Sequence, residues 1–198
     1  MIPEQNLTLL SATNTVLIVV DVQEKLVPAI DRGDRVVWNT RRLIDGSKLF
    51  ELPIIVTEQY PRGLGPTVPS LTAVLPENTP IIEKKSFSAG VVPELLDALR
   101  KNENVHKVLL VGVETHVCIL QTALDLLSLG YEVHPVADAL GSRFADDYNI
   151  AIRRLECSGA LLTTTESALF QLCRSADAPQ FKEISRLARE NDPQAIPK

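Results

Sequence analysis

Histidine and cysteine are scarce in this chain of 198 residues, with three of each. Cys118, Cys157 and Cys173 form an odd, widely spaced set. That excludes a disulfide framework and fits free thiols in a reducing compartment. His106, His116 and His134 are too few and too scattered for a zinc cluster, so no metal is expected. No apolar run approaches the length that crosses a bilayer, and Val16–Val20 is far too short. The opening residues lack the basic stretch and apolar run of a secretory leader. A cytoplasmic protein without a membrane partner is expected. No block of Lys or Arg occurs and the net charge is −5, which argues against general affinity for nucleic acid. No G-x-G-x-x-G or Walker loop follows the first apolar run, which excludes the common nucleotide-binding loops, and no cofactor is expected.

What is present is an ordinary globular composition, 45% hydrophobic and 23% charged. The length suits a single domain, 1–198, with a substantial core. Short apolar runs alternate with helical stretches. Thr15–Asp21 is a β-branched run closed by an acid, as in strands buried on both faces of a parallel sheet. Further strands are predicted at Pro53–Glu58, Pro80–Glu83, Val105–Val113, Glu132–Asp138 and Ala160–Thr165. Helices are predicted over Asp34–Glu51, Pro93–Lys101, Thr115–Leu129, Arg143–Cys157 and Pro179–Glu190. The segment from Gln59 to Pro69, rich in Pro and Gly, is a loop. This alternation defines an α/β fold: three layers, α/β/α, around a mainly parallel, Rossmann-like sheet of about six strands. Pro135 lies inside a predicted strand, where a bulge or a late start is expected.

Ligands bind beyond the carboxyl ends of strands in such sheets. Asp21 ends the first strand, Glu58-Gln59-Tyr60 the second, Lys84-Lys85 the third and Gly112-Val113 the fourth. The helix after the fourth strand has Cys118 in its first turn. An acid, a lysine and a thiol from different crossovers thus share one rim. A cysteine in an apolar helix is usually a small core residue, and Cys157 and Cys173 are read so. Cys118 differs, because the positive end of a helix favours thiolate. Asp21 alone reads equally well as a cap, and Lys84 alone as a solvated side chain. Their conjunction carries the argument.

Three blocks, in order, resemble the isochorismatase-like cysteine hydrolases: VLIVVDVQEKLV, KKSFSA and VLLVGVETHVCILQTALDLLSLGYEV. The resemblance runs from the first strand through the last. TEQYPRGLGPTVP and PQFKEI resemble the branch called isochorismatase-domain-containing proteins. The register of the second block selects Lys84 rather than Lys85, with Phe87 and Ser88 in the aromatic and serine places. Nicotinamidases carry a metal site after the second strand, where this chain has Thr57-Glu58-Gln59-Tyr60. Glu114 stands where amidase members usually have a small residue, and Gly90 where an aromatic often follows the Ser–Ala pair.

The resemblance implies amide-type or ester hydrolysis of a small molecule through Cys118, Asp21 and Lys84. Cys118 would be the nucleophile, Asp21 the base and Lys84 the cation that stabilises a thiolate. Backbone N–H groups of Glu114 and Cys118 would hold the oxyanion, the former aimed by a cis peptide at Val113–Glu114. Gln23, Tyr60 and Phe87 are candidate pocket residues, although Gln23 reads equally well as structural and Tyr60 as an anchor for the loop. The Glu114 side chain would select a substrate with a positive or donor group, and Arg143 an anionic one. His116 is expected at the surface or an interface, since i,i+2 side chains do not face each other. A homo-oligomer is implied. A non-catalytic, regulatory member of the same fold and a thiol redox sensor are the other readings.

Overall fold

The structure, a computed structural model, describes residues 9–102 and 104–192. The opening segment 1–8, on which the expectation of no leader partly rests, lies outside them. The elements in order are β1 (Thr15–Val20), α1 (Gly33–Leu49), β2 (Ile54–Gln59), α2 (Pro61–Leu64), α3 (Pro69–Thr72), β3 (Ile81–Lys84), α4 (Pro93–Arg100), β4 (Lys107–Val113), α5 (Leu120–Ser128), β5 (Glu132–Gly141), α6 (Ala145–Cys157), α7 (Thr165–Cys173) and α8 (Phe181–Ala188). The sheet has five strands in the order β3-β2-β1-β4-β5, all paired in parallel.

The apolar run of β1 is continuous because both faces are covered. Leu17 and Val19 pack with Leu43, Ile44, Leu169 and Ile184 of α1, α7 and α8. Val16, Ile18 and Val20 pack with Leu95, Leu99, Ala123, Leu126 and Leu155 of α4, α5 and α6. Three layers result, as the alternation of strand and helix requires.

The predicted sixth strand is corrected. Residues 161–163 do run beside β5: Leu161 N–H donates to Val133 O at 2.9 Å and Thr163 N–H to Pro135 O at 3.0 Å. Only one isolated bridge forms, between Val136 and Thr163. The run stops because Thr164 caps α7, its hydroxyl accepting from Ser167 N–H at 3.4 Å. Pro135 belongs to β5, and the register with β4 shifts just beyond its pairing with Leu110. Its carbonyl faces Thr163, so its nitrogen also faces outward, where the missing donor costs no bond to β4. Cys157 is exposed rather than in the core, since α6 ends there, while Cys173 is buried. The helix expected over Thr115–Leu129 opens instead as a π-turn, Thr115–Ile119, before α5.

Gly112 joins the fold to the site. It has φ of 120°, and a Cβ there would lie 2.0 Å from Val20 O. Gly112→Ala should therefore cost at least about 1–3 kcal/mol in backbone strain, read as a lower urea midpoint. An unchanged midpoint would refute this account of the junction between β1 and β4.

Candidate active site

Asp21 follows β1 with φ of 56°, a left-handed conformation that Asp tolerates better than most residues. Its side chain is fully buried. Oδ1 accepts from Thr57 Oγ1 at 2.8 Å and Oδ2 from Lys84 Nζ at 2.6 Å. The Cys118 thiol lies close enough to the same carboxylate for each to shift the other's proton affinity. The three residues read from the rim of the sequence thus meet in space.

Lys84 is the last residue of β3, the edge strand, yet its side chain is also fully buried. Besides Asp21, its ammonium group donates to Gln59 Oε1 at 2.8 Å, Phe87 O at 3.0 Å and Ser86 O at 3.3 Å. An ammonium carries three protons, so the longest of these contacts is shared. Thr57 and Gln59 were named in the sequence only as part of the second strand's end, with no role at the site. Register alone carried their signal, since Thr57 pairs with Val20 beside Asp21, and Gln59 with Lys84.

Cys118 sits in the π-turn that opens α5 and is nearly buried. The Val113–Glu114 peptide is cis, and the Glu114 backbone lies close enough to the Cys118 sulfur to favour a thiolate slightly. Burial and then the Asp21 carboxylate push the thiol up to about 12, with Lys84 and the Glu114 N–H opposing them more weakly. The direction is opposite to that of the expected low-pKa thiolate: burial above all, and then the Asp21 charge, favour the protonated thiol over what Lys84 and the start of the helix offer. Burial also raises the Asp21 carboxyl above its ordinary range, against the pull of Lys84. A raised carboxyl is a stronger base toward a thiol.

Gln23 is fully buried and its amide is spent on backbone. It donates to Gln59 O at 3.0 Å and Gly65 O at 2.6 Å, and accepts from Gln59 N–H at 2.8 Å. It holds the Pro/Gly-rich loop to the strand ends and presents no face to a pocket. Glu58 does the same from β2, its Oε1 accepting from Thr67 N–H at 2.6 Å and Thr67 Oγ1 at 2.8 Å. That carboxylate stands where the resemblance would place a nicotinamidase metal. Among the described residues no group of three His, Cys, Asp or Glu is placed to hold an ion. Tyr60 and Phe87 are both about half exposed. They flank Lys84, whose carbonyl accepts from Tyr60 N–H at 2.9 Å.

The Glu114 side chain turns to Arg143, accepting from its backbone N–H at 3.2 Å and its Nε at 2.9 Å. Its charge is met by a guanidinium, which corrects the expectation that it selects a cationic substrate. His116 bonds Ser142 Oγ through Nδ1 at 3.0 Å and forms no pair with Cys118. A cleft of ≈380 Å³ lies nearby at the ends of β5, α1 and α6, lined by Arg32, Arg35, Asp138, Phe144 and Tyr148. It contains none of Asp21, Lys84 and Cys118, so the site is defined by side-chain geometry rather than by cavity size.

A five-stranded parallel α/β protein with a buried Asp–Lys–Cys cluster at the carboxyl edge is a narrow class. The isochorismatase domain profile matches residues 15–167. Isochorismatase domain-containing protein 2A of Mus musculus is 43% identical over 180 residues, covering 91% of this chain and 85% of its own. The MAR1 ribonuclease of Caenorhabditis elegans superposes with a TM-score of 0.88 at 43% identity, over 96% of this chain and 97% of that one. The YcaC gene product of Escherichia coli, described as an octameric hydrolase of unknown specificity, has a TM-score of 0.85 at 26% identity, over 91% of both chains. This chain belongs to the isochorismatase family. Among its described residues, no helix is long and apolar enough to cross a membrane.

Proposed function

We propose that the chain is a cysteine hydrolase, one domain throughout, that cleaves a small-molecule C–N bond of amide type, or an ester, with its own side chains alone. One observation carries the reading: a fully buried carboxylate is held by an ammonium group at 2.6 Å and lies beside a buried thiol whose proton it can take. Stability alone does not call for such an arrangement, since apolar side chains of similar volume often serve as well as a buried ion pair.

Asp21 takes the Cys118 proton as sulfur attacks the carbonyl carbon. The oxyanion faces the N–H groups of Glu114 and Cys118, and losing one such donor typically costs about 10²–10³ in rate. Collapse breaks the bond to the leaving group, which receives the proton from Asp21. Water, deprotonated by Asp21, then attacks the thioester, and Cys118 leaves as thiolate and is reprotonated. Lys84 keeps the carboxylate ionised between these transfers. A homo-oligomer is part of the proposal, supported by the octameric description of the Escherichia coli neighbour.

The nematode neighbour is named a ribonuclease. A net charge of −5 and a buried thiol nucleophile favour a small carbonyl substrate over a phosphodiester chain. A redox-sensor reading lacks a second cysteine at the site. Cys157 ends α6, which starts at the carboxyl edge and runs about 1.5 Å per residue away from it.

The test is a screen of amides, ureas, esters and an RNA oligomer against wild type and Cys118→Ser. Turnover of a carbonyl substrate, lowered by at least about 10³ in the variant, is the expected result. Cleavage of RNA alone, or turnover indifferent to the variant, would overturn the proposal.

A further inference from the structure

Lys84 owes its aim to a loop outside the sheet. Two of its acceptors are the carbonyls of Ser86 and Phe87, in a segment without regular structure between β3 and α4. That segment is fastened to α5 at two points. Ser88 Oγ donates to Asp125 Oδ2 at 2.5 Å, and Ala89 N–H donates to Thr122 Oγ1 at 2.8 Å. Thr122 and Asp125 are three apart, on one face of the helix. The Ser88 hydroxyl also accepts from Gly90 N–H at 3.0 Å, and the Ser88 carbonyl from Ser86 Oγ at 2.8 Å. Two of the turn's own bonds thus meet at Ser88, and Ser88 is held by Asp125.

The same helix follows directly on the π-turn that carries Cys118. One rigid element therefore sets both the thiol and the carbonyls that direct the ammonium group. The fit has a steric condition as well: a Cβ at Gly90 would lie 2.7 Å from Asp125 Cβ. A side chain there would push α5 and the loop apart.

We propose that Asp125 is a positioning residue: through Ser88 it fixes the loop whose carbonyls aim Lys84 at Asp21 and Cys118. Its catalytic meaning rests on the hydrolase reading, but the aim of Lys84 is measurable without turnover. The background for the test is Asp21→Asn, in which Lys84 is the charge left beside the thiol. In it, Asp125→Ala and Asp125→Asn are compared by the rate at which iodoacetamide labels Cys118, read by peptide mass spectrometry from pH 6 to pH 10, with exposed Cys157 as control. Asn keeps an oxygen for the Ser88 hydroxyl, and Ala does not.

The expected result is about a tenfold slower labelling of Cys118 at pH 8 with Ala, an upward shift of the pH profile by about one unit, and rescue by Asn. Ser88→Ala cuts the same link from the other end and replaces Asp125→Ala should that variant not fold. Equal rates and profiles for Ala and Asn would overturn the proposal. So would an Asp21→Asn protein in which Cys118 gains nothing, because Lys84 would then have no hold on the thiol. Failure of the hydrolase reading is seen elsewhere, in the substrate screen, since alkylation needs no substrate.

Discussion

Asp21→Asn is expected to abolish hydrolysis and, at the same time, to make Cys118 more reactive. In the wild type the thiol is held protonated by burial first and by the Asp21 carboxylate second. The substitution removes the carboxylate's charge and its hydrogen bond together. Lys84 stays in place, held by Gln59 and by the carbonyls of Phe87 and Ser86. Its ammonium group then finds its nearest counter-charge in a thiolate. Alkylation of Cys118 at pH 8 should rise by at least about tenfold, one unit of downward shift being a tenfold gain in thiolate. Turnover should nevertheless fall by about 10²–10⁴, the usual worth of a general base, because nothing remains to protonate the leaving group or activate water. Labelling no faster than wild type in folded protein would mean that the carboxylate is not what keeps the sulfur protonated.

That result bears on what a sequence can convey. The rim of Asp21, Lys84 and Cys118 was legible because each closes or follows a strand, and strand ends are where parallel sheets gather ligands. The charge state of the cluster was not legible. Position at the start of a helix suggested a thiolate, whereas complete burial of the Asp21–Lys84 pair and the thiol's own desolvation decide the matter. Burial follows from the loop over Gln23 and Glu58 and from the edge-strand segment over Lys84, and neither is encoded in local spacing.

Other gaps have the same origin. Strand runs with β-branched residues on two covered faces were easy to place. The segment around Thr163 was apolar enough for a strand, but Thr164 begins α7 before a ladder can form. The signal was present: a Thr followed by Ala168, Leu169, Leu172 and Cys173 at helical spacing, all buried. Gly90 looked like a departure from the pattern of the amidase members. It is required where it stands by the approach of Asp125, a contact between residues far apart in sequence. Glu114 looked like a free charge beside the nucleophile, and only the turn after β5 supplies the Arg143 that meets it.

Lys84→Met is expected to cost stability as well as activity, and its dependence on pH identifies the cause. Removing one partner of a buried ion pair leaves a charge without compensation, typically at about 3–5 kcal/mol. Here that charge is the Asp21 carboxylate, which burial already pushes upward against the pull of Lys84. Without the lysine the upward push is unopposed, and the carboxyl takes a proton in the folded state. The folded pKa is then above the unfolded one, so the folded protein binds the extra proton. The neutral form's stability is fully present below the ordinary carboxylate range and is lost as pH rises toward the raised value. The deficit against wild type should therefore be smaller at pH 5 than at pH 8 in urea unfolding. Adding Asp21→Asn to Lys84→Met removes the stranded charge and should recover most of the loss at pH 8. The coupling in that double-mutant cycle measures the pair directly. A deficit that ignores pH, or a double variant no more stable than Lys84→Met, would assign the loss to packing around the lysine stem instead of to the carboxylate it leaves behind.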